Sequence, residues 1–400
     1  MKTGVGGFQS FRLTQAREAL GLTKVALATL VNVSGATVTQ WENGSQNPQE
    51  DKLQSLATSL GQSTHWFLRE STTLDHTPYF YRSLSSATKT GRIATKTKLN
   101  WLIELSNVFQ KYVDWPAINL PNSSKQFNSL SDIDIELIAQ DFRVNMNLGT
   151  GPIKDLTLAV ESAGIVCARS EIGFDKLDGL SNWQHGFNRA YILLSSDKQN
   201  AIRSRFDLAH ELGHMILHKN ILIESLNSTN HKEIERQADL FAGSLLMPAE
   251  SFAKDIRRPT LETFLTLKPR WKVSIAAMIF RAHQLDLIND LQKANLYKNL
   301  SSKGWRLKEP YDDQLIPESP RLLSRAANML IAAGINKNDL LDQLGLPASL
   351  VESLCCLPKG FFDDSMANDN LLQFRTKSVV KSTSDKKIVG TSNNIFELGR

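Results

Sequence analysis

Two histidines and a glutamate in the stretch FDLAHELGHMILH have the residue types and spacing of a zinc site. His210 and His214 are four residues apart, which on an α-helix places both imidazoles on one face. Glu211, next to the first histidine, is placed to take a proton from a water molecule at the metal. The alternative is a solvated helix face with incidental histidines. Apolar residues such as Leu208 and Leu212 on the other faces favour a buried helix and hence the metal site.

A catalytic zinc ion needs a third protein ligand. His218 continues the four-residue spacing, but it lies about 80° around the helix from His210, too far to converge easily. Glu235 in ERQADLFA is favoured, because a second helix packed antiparallel to the first would bring it to the metal; Glu233 is a weaker rival by register. Asp239, one turn after Glu235, could then accept the outer N–H of a ligating histidine.

The residues leave open which group would stabilise the oxyanion of a cleaved peptide bond. Tyr191, His185 and His231 are equal candidates. The strand AYILLSS, residues 190–196, is predicted to offer an edge to which an extended substrate peptide could pair. Gly213 inside the metal-binding helix costs about 1 kcal/mol relative to alanine. We therefore expect a neighbouring backbone to approach the helix closely at this glycine.

The stretches RSRFDLAHELGHMILH and ERQADLFAGSLLMP together resemble the ImmA/IrrE family of bacterial zinc endopeptidases. The preceding GPIKDLTLAVESAGIVCARS and DGLSNW resemble the same family, so that the similarity covers roughly residues 130–290. This resemblance implies zinc on His210, His214 and Glu235, with Glu211 as general base. It also implies repressor-type regulators as the class of substrate.

The first 70 residues carry five helical signals, which suit a small helical DNA-binding bundle. Within them, LTKVALATLVNVSGATVTQWENGSQNP resembles the Xre/Cro-type helix-turn-helix, whose second motif helix lies in the major groove. Gln40 is the side chain suited to bidentate recognition of adenine. The DNA-facing residues implied by the resemblance are Lys24, Ser34, Gly35, Ala36, Thr37, Thr39, Gln40 and Asn43.

Charge in this N-terminal segment is nearly balanced, with six Lys/Arg and five Asp/Glu over residues 1–70. Tight binding to DNA would therefore need a homodimer or the basic segment 82–98. The alternative is that the bundle binds protein rather than DNA. Residues 71–98 are predicted to form a linker, and a long helix is expected around 100–113.

The whole chain has 400 residues, 41% of them hydrophobic, and a net charge of +5. These values predict a soluble protein of several domains, and the absence of a signal peptide or a long apolar run predicts a cytoplasmic protein without a membrane partner. Three cysteines without Cys-x-x-Cys spacing argue against a disulfide framework. No internal repeat is evident.

The predicted fold class is α+β and mostly α. We expect a five-helix helix-turn-helix domain over 8–70, a linker with a connecting helix over 71–130, a zincin-like peptidase domain with a small sheet over 131–300, a C-terminal helical region over 301–364, and a disordered tail over 365–400.

These patterns predict a DNA-binding transcriptional regulator fused to a zinc-dependent endopeptidase that cleaves repressor-like proteins. Its cofactor would be Zn²⁺, and its partners would be operator DNA and a protein substrate. The alternative is a repressor or antitoxin whose zinc fold is structural or sensory. A structural zinc site would be closed by four protein ligands, whereas the sequence offers three and a base.

Overall fold

Two helices of the N-terminal bundle begin where the sequence supplies side-chain caps. The computed structural model describes residues 4–82, 88–122, 125–174, 177–197, 200–226 and 228–363. Thr23 and Ser34 each accept a hydrogen bond from the backbone N–H three residues later, which starts the second and third helices. The five predicted helical elements are α1 Ser10–Ala19, α2 Lys24–Leu30, α3 Gly35–Glu42, α4 Glu50–Leu60 and a 3-10 helix at His65–Leu68.

A four-stranded sheet forms the centre of the fold. Its strands are β1 Tyr79–Arg82, β2 Val166–Ser170, β3 Gly179–Gln184 and β4 Arg189–Ser195, in the order β1-β3-β4-β2. β3 pairs antiparallel with both β1 and β4, whereas β2 and β4 are parallel. The prediction that AYILLSS is an edge strand is wrong, because β4 is paired on both sides. Every residue of β4 is buried, as an internal strand requires.

The segment 71–98 is not the linker that its basic composition predicted. Residues 79–82 form β1, and the next helix, α5 Lys89–Phe109, begins well before residue 100. The Thr88 side chain caps this helix by accepting a hydrogen bond from the Gly91 N–H. Two of the basic side chains lie against protein: Lys96 Nζ is 4.5 Å from the centre of the Tyr79 ring, and Lys98 donates to the Glu171 carbonyl. A cation–π contact and a hydrogen bond to a carbonyl therefore stabilise lysines in a segment whose basic composition resembled that of a solvated linker.

Helices cover the face of the sheet formed by alternate residues such as Ile192 and Leu194, whose side chains pack with Leu208 and Leu212. A Cβ at Gly213 would lie 3.3 Å from the Cα and 3.4 Å from the carbonyl oxygen of Ala238, so the expected close approach of a neighbouring backbone is present. The helices of this part are α6 Asp132–Asn145, α7 Leu156–Ser162, α8 Ala201–Leu217, α9 Ser228–Leu246, α10 Ala249–Asp255, α11 Leu261–Trp271, α12 Ile275–Gln284 and α13 Asp290–Ser302.

The opposite face of the sheet shares one hydrophobic core with the N-terminal bundle and α5. Tyr191 and Leu193 of β4 belong to the same buried cluster as Trp66 and Leu102. Three further helices complete this core: α14 Leu322–Ala332, α15 Lys337–Leu344 and α16 Ala348–Leu354. The chain through Phe362 packs as one compact unit.

The predicted α+β, mostly helical fold class is confirmed. The tail expected to be disordered, 365–400, lies outside the described residues. In the described segments, none of the helices has the combined length and apolarity that a membrane crossing requires.

Candidate metal centre

Helix α8 carries His210, Glu211 and His214 on turns that are fully buried. Asn200 starts the helix by accepting a hydrogen bond from the Arg203 N–H. Apolar side chains of α8 pack against the sheet, and the two histidines point toward α9. The alternative of a solvated helix face is therefore excluded by their burial.

Three predicted ligands meet between α8 and α9. His210 Nε2 and His214 Nε2 are 3.0 Å apart, and the Glu235 carboxylate oxygens lie 3.4 Å from the first and 3.5 Å from the second. All three ligand atoms fall within 4.8 Å of one another, which no other set of His, Cys, Asp or Glu does in the part of the chain that is described. The rival Glu233 instead accepts hydrogen bonds from Arg236 and Gln237.

The outer nitrogen of His210 has the carboxylate partner that the sequence predicted. Its Nδ1 lies 2.8 Å from Asp239 Oδ1, so Nδ1–H donates, and in the neutral imidazole the Nε2 lone pair faces the cluster. The Phe80 ring stacks on His214 with ring centres 4.6 Å apart and fixes the plane of that imidazole. His218 lies behind His214, with the two Nδ1 atoms 2.9 Å apart, and takes no place among the three ligands.

A zinc ion fits this arrangement chemically. Two imidazole nitrogens and one carboxylate, with a fourth position open, form the donor set of catalytic zinc sites. Glu211 Oε1 is buried and has no hydrogen-bond partner among the described residues. A buried acceptor without a donor is unfavourable by about 1–3 kcal/mol, so a further group, such as a water molecule at a metal, belongs beside it.

Burial and mutual contacts shift the titration of these groups strongly. Burial raises the pKa of Glu211 to about 7. Burial also lowers the pKa of His214 to about 4. For His210 burial acts downward, but the hydrogen bonds to Asp239 and Glu235 outweigh it and raise the pKa to about 9. Burial of Glu235 is likewise outweighed by its two histidine contacts, which hold its pKa far below the ordinary value. Such a concentration of perturbed groups is typical of functional sites.

Two polar residues beside the cluster were missed by the sequence reasoning. The Ser181 hydroxyl on β3 donates to Glu211 Oε2. On β1, Arg82 Nε lies 3.1 Å from Asp207 Oδ1, and its Nη1 lies 3.4 Å from Asp239 Oδ1. Arg82 fell in the segment interpreted as a linker. The aromatic run TPYFYR, with side chains that favour strands, was the available signal.

The three candidates for oxyanion stabilisation are placed very differently. Tyr191 belongs to the core on the far face of the sheet, and burial raises its pKa to about 12. His185 is exposed beyond the end of β3. His231 is the candidate nearest the cluster, with Nδ1 3.9 Å from Glu235 Oε1.

The predicted DNA-facing surface lies on the exposed side of α3. Lys24, at the start of α2, pairs with Glu42 at 3.3 Å, and Glu42 also pairs with Arg17. Part of the positive charge expected near phosphates is therefore neutralised within the bundle. Among the predicted residues, Lys24, Gly35 and Thr37 are half-buried, and the exposed ones are Ser34, Ala36, Thr39, Gln40 and Asn43.

Two segments of the chain match known families. Residues 160–283 match a peptidase family described as the IrrE N-terminal-like domain, and this segment contains the whole histidine–glutamate cluster. Residues 13–67 match the helix-turn-helix family. No curated protein matches the chain. The resemblance stated from the sequence is confirmed: the chain joins an N-terminal segment similar to Xre-type helix-turn-helix domains to a segment similar to ImmA/IrrE-type peptidase domains.

Proposed function

We propose that this protein is a DNA-binding regulator that uses zinc to hydrolyse peptide bonds in repressor-type regulatory proteins. His210, His214 and Glu235 would hold the metal. The observation that carries the proposal is the convergence of their three ligand atoms beside the buried, half-partnered Glu211. Three ligands rather than four favour turnover over a closed structural site.

When bound, zinc supplies Lewis-acid polarisation and lowers the pKa of water toward neutrality. Glu211 is the general base: Oε1 accepts a proton from the attacking water and passes it to the nitrogen released as the peptide C–N bond breaks. Because Ser181 holds Oε2, Oε1 is the oxygen left for this transfer. Asp239 keeps His210 in the tautomer that presents Nε2 to the metal.

The N-terminal bundle would bring the peptidase to DNA where its substrates bind. Its reading helix α3 presents short side chains at the first positions and Gln40 farther along, which suits contact with adenine and thymine rather than guanine. Because the bundle has little net positive charge, one copy would bind DNA weakly, and two copies of the chain would bind an operator more tightly than one.

The direct test is to incubate the purified full chain with zinc and a panel of repressor-type regulators. We expect discrete fragments from one or a few of them. Removing the metal with a chelator should abolish the fragments, and adding zinc should restore them. If the chain binds about one zinc but no regulator is cut, the protein is a repressor with a structural or sensory zinc fold.

A further inference from the structure

His218 is fully buried behind a proposed metal ligand, and both of its ring nitrogens have partners. Nδ1 lies 2.9 Å from His214 Nδ1, and Nε2 lies 3.0 Å from Gln237 Oε1. Gln237 is itself fully buried on α9. The three side chains form a continuous hydrogen-bonded line that ends at the metal cluster.

The direction of each hydrogen bond in this line follows from the contacts of Gln237, at the end away from the metal cluster. Gln237 Nε2 lies 2.7 Å from the Phe127 carbonyl and 2.9 Å from Glu233 Oε1, and both of these groups are acceptors only. The amide nitrogen of Gln237 must therefore point at them, and its oxygen must point at His218. Consequently His218 Nε2 donates, and in a neutral imidazole its Nδ1 accepts.

We propose that Gln237 and His218 are positioning residues that set the tautomer of His214. Because His218 Nδ1 accepts, His214 Nδ1–H donates, and the lone pair of His214 Nε2 faces the metal position. His210 is oriented by a carboxylate, Asp239, whereas His214 is oriented by an uncharged His–Gln line. This inference rests on the proposed zinc site.

The test is the zinc affinity of the full chain, measured by competition with a chelator. His218→Phe keeps a ring of similar size but has no acceptor for His214, so we expect affinity to fall about 10- to 100-fold. In His218→Gln, the amide can accept from His214 and donate to Gln237, so affinity should stay within about threefold. Thermal unfolding shows whether each variant is folded.

Gln237→Met provides a second measurement on another helix, since it leaves His218 in place but releases its orientation. We expect a loss of about tenfold. If both His218→Phe and Gln237→Met bind zinc as tightly as the unsubstituted chain, the positioning role of His218 and Gln237 is refuted. The proposed zinc site itself would not be affected by that result. A failure of the unsubstituted chain to bind zinc would overturn the proposed function as well.

A separate observation concerns the C-terminal helices, which repeat the spacing of the N-terminal helix-turn-helix. α2 begins at Lys24 and α15 at Lys337, while α3 begins at Gly35 and α16 at Ala348, so both pairs are separated by the same 313 residues. The two segments share this spacing rather than residue identity, so the repeat is not evident from the residues themselves.

Backbone and burial follow the same offset. Thr23 and Asn336 both cap the first helix of the motif with a side-chain oxygen. Equivalent turns also hold a residue with positive φ. Two pairs of equivalent residues have positive φ: Gly21 with Gly334, and Asn32 with Gly345. Three pairs of equivalent residues have buried side chains: Leu27 with Leu340, Val38 with Val351, and Trp41 with Leu354.

The two units differ in what covers their second motif helix. Thr39 and Gln40 of α3 are exposed, whereas the equivalent Glu352 of α16 is buried and the Ser353 hydroxyl lies 2.8 Å from that of Ser170 on β2. Glu352 accepts hydrogen bonds from backbone N–H groups that follow α16, including that of Phe362. The later part of the surface that would enter a DNA groove is thus packed against the sheet, while Ser349 at the start of α16 is exposed.

We infer that residues 322–357 form a second helix-turn-helix unit whose reading helix docks on β2 of the same chain instead of DNA. Arg69, which follows the 3-10 helix of the first bundle, also contacts this unit, because its guanidinium donates to the carbonyls of Asp342 and Gln343 in α15. The second unit is thereby anchored to the end of the first bundle.

The equivalent exposed positions Ala36 and Ser349 offer a matched test. Ala36→Asp places a negative charge on α3 and should weaken binding of the full chain to its operator by at least about tenfold. Ser349→Asp should leave this affinity unchanged. Equal weakening by both variants would show that α16 also reads DNA. If Ala36→Asp leaves the affinity for the operator unchanged, α3 does not read DNA, and that part of the proposed function is refuted.

Docking itself is tested by Ser353→Asp, which forces a carboxylate into the contact with Ser170. We expect the unfolding midpoint to fall by at least about 2 °C, with Ser349→Asp as the control. Equal midpoints for the two variants would overturn the docking of α16 on the sheet.

Discussion

The candidate metal centre and α3, the proposed DNA-reading helix, differ in how far their geometry depends on distant residues. In the metal centre, Glu211 is held by Ser181 of β3, and His210 by Asp239 of α9. In α3, Ser34 caps the helix from within, and the side chain of Thr39 bonds to the carbonyl one turn earlier. Buried ionisable groups need partners from several elements, whereas an exposed helix needs only its caps and its apolar stripe.

This difference predicts that the metal centre is sensitive to substitutions on several elements, while α3 is sensitive mainly on its exposed face. Substitutions at the candidate metal centre and on α3 should therefore differ in the size of their effects.

The largest effect is expected where the N-terminal bundle is fastened to the rest of the chain. Arg12 is buried, pairs with Glu104 of α5 at 2.8 Å, and donates to the carbonyls of Arg69 and Glu70. Arg12→Met removes the donor to the half-buried Glu104 carboxylate and to two backbone carbonyls, so we expect the free energy of unfolding to fall by about 3 kcal/mol. Chemical denaturation measures this.

Lys254→Met is the control for that experiment, since its ion pair with Glu250 is exposed. It should leave stability unchanged. An equally small effect of Arg12→Met would show that the bundle is only loosely held, and the contrast with the metal centre would then be sharper than we propose.

Glu211→Gln should have the next largest effect. It keeps the shape of the side chain but cannot accept a proton, so we expect cleavage of a regulator to slow by at least about 100-fold. Zinc content, folding and DNA binding should be retained. Following the target regulator in cells gives the measurement. An unchanged phenotype, alongside loss of function in a DNA-binding variant, would refute the peptidase and leave a repressor.

Glu235→Ala tests the ligand contributed by α9. Removing this carboxylate should lower zinc affinity by about tenfold or more. Glu233→Ala is the matched control, because Glu233 lies two residues away on the same helix and bonds to Arg236 instead. If Glu233→Ala loses zinc and Glu235→Ala keeps it, the third ligand is assigned wrongly.

The last two substitutions concern the helix-turn-helix, and the smaller effect is expected for Lys24 at the start of α2. Gln40→Ala should reduce discrimination between the operator and altered sites by about 1–3 kcal/mol. Lys24→Ala should weaken all sequences alike, and only slightly, because Lys24 already pairs with Glu42. A gel-shift series over salt concentration separates the two. Absence of salt-sensitive binding would favour a protein-binding role for the bundle.

Much of the candidate site could be predicted because its spacing is local. One helical turn separates His210 from His214, and another separates Glu235 from Asp239, so each pair shares a face whatever the rest of the fold does. The caps Thr23 and Ser34 are local in the same sense. β1 and the start of α5 could not be predicted, because their basic residues resemble a solvated linker until the sheet and its aromatic rings surround them.

The residues alone determined which groups are available: two histidines and an adjacent base on one helix, an acidic pair on another, and a capped helix-turn-helix near the start. Only the tertiary structure decided which of these groups meet and what holds them. It places Glu235 rather than Glu233 beside the two histidines, Tyr191 on the far face of the sheet, β4 between two other strands, and Ser181 beside Glu211. The physical reason is that helical periodicity is encoded over four residues, whereas the satisfaction of buried polar groups depends on segments far apart in the chain.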